Sequence, residues 1–364
     1  NRKFALSAKT KIDYICEVFN SLKKNVELVS VSGTLNKKFY KGRIVKLNDN
    51  ILRLFPTLPS GNACLNRLSA LYIKLNLFFY LIRKVKKNEL ILVYHGTGYG
   101  NVIHWAKKLN NFKICLEVEE LYQDVRNLGN RKNKREYRDF NDADMYIFPT
   151  KLLNDKINIG NKPYAIIHGT YQAEKDRQVS FNDGRIHVVY AGTFDSRKGA
   201  LAAVAAEFLS DEYHVHIIGF GSDKETENIK KIIDITNAKA KANVTYDGML
   251  AGEEYIQFLQ KCQIGLSPQN PDAKFNGTSF PSKILSYMAN GLRVVTIRIP
   301  AIETSDVGSD VYYYNEQEPK DIAQAIMRID FNDGYDGRSK LINLDKKFKM
   351  ELKELVGLEE YLQL

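Results

Sequence analysis

Cysteine is scarce in this sequence. There are four in 364 residues, Cys16, Cys64, Cys115 and Cys262, and no two stand as a C-x-x-C pair. That spacing argues against a zinc ribbon or a disulfide scaffold. Each thiol sits in an apolar neighbourhood, so four buried, unpaired cysteines in a reducing cytoplasm are expected, with no metal site. Long apolar runs are missing too. The most apolar stretch, Leu65 to Val85, is broken by Lys74 and Arg83 and is too short for a convincing bilayer span. It reads as a core helix, with an interfacial helix as the second option. No tandem repeat, low-complexity tract or secretory leader is visible, and because the chain opens on Asn1 its natural start is expected upstream.

What is abundant is basic charge, and it is unevenly placed. Residues 1–174 hold 30 Lys and Arg against 15 Asp and Glu, a net of +15; the whole chain is +10, which leaves −5 for residues 175–364. Such asymmetry points to an anionic partner for the first half: nucleic acid, an anionic membrane surface or a lipid-diphosphate acceptor. The densest run is 131–138, where Arg131, Lys132, Lys134, Arg135 and Arg138 are basic. A solvated helix face is the ordinary role of such a run. The chain lacks the stacking-aromatic pattern of an RNA-recognition sheet, which argues against nucleic acid.

Hydrophobic periodicity divides the chain into two α/β halves. In the first, helical spacing over Lys11 to Leu22, Leu65 to Val85 and Asn101 to Leu109 alternates with apolar runs over Val26 to Val31, Glu89 to Tyr94, Phe112 to Val118, Asp144 to Pro149 and Pro163 to His168. Residues 170–186 are polar and aperiodic, the character of a linker. The pattern then restarts, with strands expected from His187, Tyr213, Val244, Ile264, Arg293 and Val311 and helices between them. Alternation of this kind predicts parallel sheets with helices on both faces. The expected domains are 1–174, 175–340 and a C-terminal amphipathic helix within 341–364.

Open α/β sheets bind ligands beyond the carboxyl ends of their strands, so the residues just past each strand carry the candidate chemistry. Residues 275–297 are the most informative. A loop with Gly277, Thr278 and Ser279 runs through Phe280-Pro281 into a helix, Ser282 to Asn290, which Gly291 ends. Proline at a helix start and glycine just past its end are favoured. The first-turn N–H groups form an anion site, with Lys283 as an added cation, the means by which a protein holds a diphosphate. Gly192-Thr193 through Arg197-Lys198-Gly199 follows the first strand of this half, and Gly219-Phe220-Gly221 the second; glycines there permit backbone close to a ligand. In the first half, Glu119 and Glu120 follow a strand, placed either to bond an acceptor hydroxyl or to favour a helix start. His95 precedes a glycine-rich loop, and His168 marks the domain junction; each is a candidate ligand group or a structural histidine. His104, His187, His214 and His216 fall inside expected helices or strands, where packing is the expected role.

The segment FPSKILSYMANGLRVV, Phe280 to Val295, resembles the donor loop and helix of the family 4 glycosyltransferases. The resemblance runs from about Lys9 to Ile329 and implies the GT-B fold, two Rossmann-like domains facing across a cleft, with the C-terminal helix returning to the first domain. It implies a retaining glycosyltransferase of bacterial polysaccharide synthesis. A nucleotide-sugar, UDP-sugar favoured, would be the donor and a glycan or lipid-linked glycan the acceptor, at a cytoplasmic site that extends to the inner membrane face. In that family a Gly-Arg-x-x-x-x-Lys-Gly segment binds donor phosphates; here Lys198-Gly199 match and Thr193 replaces the arginine, with Arg197 nearby. The Gly219-x-Gly221 turn matches as well, and backbone after the strand ending near Leu250 would hold the base. The family's two spaced glutamates are replaced by Thr278 and Ser286, the second at the ribose-binding position. Donor-binding residues are therefore Gly192, Thr193, Arg197, Lys198, Gly219, Gly221, Leu250, Thr278, Ser279, Phe280, Ser282, Lys283 and Ser286; Glu119, Glu120 and His95 are the catalytic candidates. No cofactor is expected, and the absence of a D-x-D motif after a strand agrees with no metal. The same losses leave open a non-catalytic GT-B subunit that partners another transferase.

Overall fold

The computed structural model describes residue 2 and residues 6–125, 129–194 and 199–357. The chain divides into two compact units. One contains Asn1–Phe148, Asn154–Thr170 and Phe348–Leu364; the other contains Pro149–Leu153 and Tyr171–Lys347.

The first unit runs α1 (Leu6–Ser21), β1 (Glu27–Ser30), β2 (Arg43–Leu47), β3 (Asn50–Leu54), α2 (Ala63–Lys84), β4 (Leu90–Tyr94), α3 (Gly100–Asn110), β5 (Lys113–Glu117), α4 (Tyr122–Val125), α5 (Asn130–Asp142), β6 (Met145–Phe148), α6 (Lys151–Ile157, which joins this unit from Asn154) and β7 (Tyr164–Ile166). Its strands form two sheets rather than one. The four-stranded sheet β4-β5-β6-β7 is parallel throughout. The three-stranded sheet β1-β3-β2 is mixed, with β2 antiparallel to β3 around a tight turn in which Asn48 takes a left-handed conformation. The hairpin left no period in the sequence because no residue of β2 or β3 is buried, so neither strand has an apolar face against a polar one.

Helix α2 begins at Asn62, whose side chain accepts a hydrogen bond from Leu65 N. It buries Ser69, Ile73, Leu77 and Leu81, one stripe at every fourth residue. Leu65, Leu68, Leu71, Leu75 and Phe79 are exposed. The helix is therefore a core element along one stripe only, with a second apolar stripe facing out. Cys64, in its first turn, is exposed, so three of the four thiols are buried and not all four. No described helix is long and apolar enough to cross a membrane.

The second unit is one six-stranded parallel sheet. Its elements are β8 (Ile186–Thr193), α7 (Gly199–Val204), β9 (Tyr213–Phe220), α8 (Asp223–Asn237), β10 (Asn243–Gly248), α9 (Gly252–Lys261), β11 (Ile264–Ser267), α10 (Lys283–Ala289), β12 (Arg293–Ile297), α11 (Pro300–Glu303), β13 (Tyr312–Tyr314) and α12 (Pro319–Met327). The sheet order is β10-β9-β8-β11-β12-β13. Numbered within the unit this is 3-2-1-4-5-6, the doubly wound order, whose reversal lies between β8 and β11. The strands form where apolar residues run without a break: Val188 to Ala191, Ile264 to Ser267 and Val294 to Ile297 are buried on both faces. A last helix, α13 (Gly337–Leu355), enters the first unit from Phe348, whose ring stacks on Tyr14 at 6.2 Å.

Candidate functional site

The seam between β8 and β11 is short. The two strands pair only at Val188 with Ile264 and Val189 with Gly265. Beyond that point a side chain takes over from backbone pairing. The Tyr287 hydroxyl, fully buried on α10, accepts from Ala191 N at 2.9 Å and donates to the Leu266 carbonyl at 3.1 Å. Both backbone groups would otherwise be buried without partners, at a cost of about 1–3 kcal/mol each. Gly265 leaves room for the ring; a Cβ there would stand 2.3 Å from it. Tyr287 thus fixes α10 against the reversal point.

One turn earlier on the same helix face stands Lys283. Its ammonium lies over Gly192, so close that a Cβ at that position would stand 1.8 Å from Nζ. It also lies 4.7 Å from the centre of the Tyr190 ring, a cation–π contact, and the Tyr190 hydroxyl donates to the Thr193 carbonyl at 2.8 Å. Gly219, at the end of β9, has φ +140°, and a Cβ on it would meet the Gly192 carbonyl oxygen at 1.8 Å. Two glycines facing each other across neighbouring strand ends bring bare backbone and a cation together. Just before α10, Thr278 Oγ1 and Ser279 Oγ are buried and lack hydrogen-bond partners among the described residues. Unmet polar demand of that kind is what a polar ligand satisfies. The Ser279 N–H donates to the Phe275 carbonyl at 2.8 Å, which leaves the hydroxyl as the group that residue offers.

Beside this lies an open pocket of about 550 Å³ lined by Thr193, Phe194, Phe220, Gly221, Ser222 and Glu225, with α8 behind it. Helix α8 starts with a full capping box: Glu225 N donates to Ser222 Oγ, and Ser222 N donates to the Glu225 carboxylate at 2.7 Å. Its positive end therefore already carries a carboxylate. Phe220 projects into solvent at the lip, 54% exposed. Phe280 is buried and Ser282 exposed, on either side of Pro281. Ser286 is half-buried on α10, and its carbonyl accepts from Asn290 Nδ2 at 2.9 Å. Leu250 is half-buried past the end of β10. Arg197 and Lys198 lie outside the described residues. The structure thus gathers Gly192, Thr193, Gly219, Gly221 and Lys283 about the ends of β8 and β9, with the orphan hydroxyls just before α10. Tyr190 and Tyr287, which hold this arrangement, gave no signal in the sequence beyond being aromatic residues in apolar runs.

In the first unit the carboxyl end of β5 is charged. Lys11 of α1, buried, places Nζ 2.9 Å from Glu119 Oε1 and 3.8 Å from Glu117 Oε1, and donates to the Ile167 carbonyl at 3.3 Å. Burial, with Glu119 adding to it, raises the Glu117 carboxyl well above the ordinary carboxylate range. Burial pushes Glu119 the same way, yet Lys11 and the bond from Glu117 hold it below the usual value. The three groups form one proton-sharing cluster, so Glu119 is already tied to a cation. Neither Glu117 nor Lys11 stood out in the sequence: one ends an apolar strand and the other lies 106 residues away. His95 is 5% exposed, packed against the rings of Tyr122 and Phe140, with Nε2 3.6 Å from Glu136 Oε1. Burial lowers its pKa to about 4, so the ring is neutral at physiological pH, and it hydrogen-bonds the Glu120 backbone. Glu120 itself is half-buried, and His168 is buried.

The basic run lies on α5. Lys132, Lys134 and Arg135 are exposed; Glu136 turns inward, and Arg138 pairs with Asp139 at 2.8 Å. The Arg131 side chain lies outside the described residues.

Residues 185–330 match the family model described as glycosyl transferases group 1. No curated protein sequence matches the chain. Among solved structures the chain is similar to the α,α-trehalose 6-phosphate synthase from Burkholderia multivorans, at 10% identity and a TM-score of 0.66, covering 92% of this chain and 89% of that one. It is similar to a glycosyltransferase from Rickettsia africae, at 14% identity and 0.64, covering 98% and 94%. It is also similar to the lipopolysaccharide outer core galactosyltransferase WaaB, at 14% and 0.63, covering 98% and 96%. At these identities the likeness is one of fold. The chain has the GT-B fold, and its residues 185–330 are similar to the group 1 glycosyl transferases.

Proposed function

We propose that the chain is a retaining glycosyltransferase that draws on a nucleotide-sugar, a UDP-sugar before others. The observation that carries this reading is the Lys283 ammonium set over the bare Gly192 backbone, with the unpartnered Thr278 and Ser279 hydroxyls beside the same helix. A diphosphate leaving from the sugar develops negative charge at such a place. A preset cation and hydroxyl donors stabilise that charge more than they stabilise the intact donor. The leaving phosphate itself takes the acceptor proton, which is compatible with a first unit whose His95 is buried and neutral and whose Glu119 is paired with Lys11. The acceptor is a glycan or lipid-linked glycan. The exposed basic residues of α5 and the outward Leu65-to-Phe79 stripe of α2 suit an anionic membrane surface, where such an acceptor lies.

The test is calorimetry with UDP-, GDP- and dTDP-hexoses, followed by product detection with the best of them. Lys283→Met is expected to weaken donor affinity roughly 10- to 150-fold, since a charged contact is worth about 1.5–3 kcal/mol. Unchanged affinity in that variant would overturn the phosphate assignment. One observation favours a second reading, a non-catalytic partner subunit: Thr278 and Ser286 stand where the resemblance expects two carboxylates, the second at the ribose position. Donor binding without hydrolysis or transfer would support that alternative.

A further inference from the structure

At the amino-terminal end of the second unit's sheet, away from the strand ends just described, three histidines share one face. His187 lies near the start of β8, and His214 and His216 are two residues apart on β9. Register sets His187 beside His214, while Asn243 and Thr245 of β10 stand beside His214 and His216. His187 and His216 are buried and His214 half-buried. One ring nitrogen of each lies within 4.8 Å of the other two, the only such group of potential metal ligands among the described residues.

The hydrogen bonds around these rings do not close without a cation. His187 Nε2 meets Asp183 Oδ1 at 2.8 Å, and His216 Nδ1 meets Asp247 Oδ2 at 3.0 Å. An ionised carboxylate only accepts, so each of these ring nitrogens must carry the proton. A neutral imidazole has one N–H. The remaining nitrogens, His187 Nδ1 and His216 Nε2, are then both lone pairs, yet they face each other at 2.9 Å. Something positive belongs between them, either an added proton or a metal ion. Two nitrogens bound at 2.0–2.1 Å to a tetrahedral ion stand about 3.3 Å apart, so the pair need open by only a few tenths of an ångström. A carboxylate behind each of two metal-facing imidazoles is the arrangement that fixes tautomer and ring direction in metal sites.

We propose that His187 Nδ1, His216 Nε2 and His214 hold a divalent transition metal of the imidazole-preferring class, zinc or a near equivalent, with water completing its coordination. Its place at the opposite end of the sheet from Gly192 and Gly219 makes it a fastening rather than a participant in transfer. Asp183 belongs to the segment leading into β8, and Phe181 of that segment stacks on His187 at 4.2 Å and on His216 at 4.9 Å. The metal would therefore pin residues 181–187 to the sheet.

The full chain, dialysed against a chelator, is titrated with cobalt(II) while the visible d–d bands are followed, and zinc(II) is then added in competition. Expected are one equivalent of saturable cobalt, displacement by zinc, and a rise in Tm with zinc. His187→Gln and His216→Gln are expected to weaken cobalt binding by about 100-fold or more, and Asp247→Asn by roughly 10- to 100-fold. His104→Gln, whose ring is bonded to Asp142 in the first unit, is expected to bind like wild type. Should the buried variants fail to fold, His214→Gln at the half-buried ligand gives the same readout. No saturable cobalt in the wild type, or equal binding in the histidine variants and wild type, would overturn the site and leave an added proton as the cation between the rings.

Discussion

The two units solve the same packing problem differently. The second has one six-stranded sheet, parallel throughout, its central strands buried on both faces and its chain section net acidic. The first divides its strands into a parallel four and a mixed three, carries the surplus of basic charge, and turns leucines outward along α2. The two also differ in what crowds their glycines. At the end of β9 the crowding is with backbone: a Cβ on Gly219 would stand 1.8 Å from the Gly192 carbonyl oxygen, whereas one on Gly192 would meet the movable end of the Lys283 side chain. In the first unit a Cβ on Gly100 would meet the Asp139 carboxylate at 1.8 Å, while Gly98 has open space around it.

A pair of glycines sharpens that contrast most. Gly219→Ala puts a methyl group 1.8 Å from a carbonyl oxygen in a left-handed conformation, and is expected to destabilise the second unit by about 3–5 kcal/mol. Gly98→Ala, in the first unit, meets nothing within 4 Å and is expected to change stability by less than about 0.5 kcal/mol. The chain's single tryptophan, Trp105, lies on α3, so its fluorescence follows the first unit while circular dichroism follows both. A Gly219→Ala protein whose dichroism and fluorescence transitions match wild type would break the comparison. A smaller effect is expected from neutralising Lys132, Lys134 and Arg135 together. Each basic group near an anionic surface contributes about 1 kcal/mol, so co-sedimentation with anionic vesicles at low salt should fall by roughly two orders of magnitude, and high salt should abolish the difference. Equal sedimentation of variant and wild type would return α5 to an ordinary solvated helix.

The smallest effect is a slope. Burial holds His95 neutral, its pKa lowered from 6.5 to about 4. A histidine depressed by folding contributes stability that is complete above pH 6.5 and is lost as the pH falls from there toward 4. Its contribution to the slope is at most about 1.4 kcal/mol per pH unit. His95→Gln is expected to flatten the first unit's loss of stability over that window, followed by Trp105 fluorescence in urea. An unchanged slope would mean that the ring is not shielded from protonation.

The sequence carried most of the second unit because its signals are local. Buried apolar runs marked β11 and β12 to the residue, and Gly291 marked the end of α10. The β2–β3 hairpin stayed hidden because its strands bury nothing on either face. In α2 both faces are apolar, so composition could not say which stripe meets the core. Site residues followed the same division. Among the candidate-site residues, Gly192 and Gly219 were visible at strand ends and Lys283 in the first turn of an expected helix. The Lys11–Glu117–Glu119 cluster joins residues far apart in the chain, and the histidine group depends on the register between β8 and β9, neither of which a linear pattern encodes. The 3₁₀ turn Lys274–Gly277, whose Phe275 carbonyl takes the Ser279 N–H, has no apolar period to mark it.

The Tyr287 bridge has a kinetic consequence. Most amides in a parallel sheet are guarded from solvent exchange by a neighbouring strand, and they open only when the strands part. The Ala191 amide is guarded by a phenol on α10 instead. Its protection is set by the residence of one short helix, and Lys283 rides on that helix one turn away. Any event that shifts α10, whether a bound anion drawing on the lysine or a strain at Gly192, reaches the solvent clock of a single amide in the middle of the sheet before it disturbs the strands themselves.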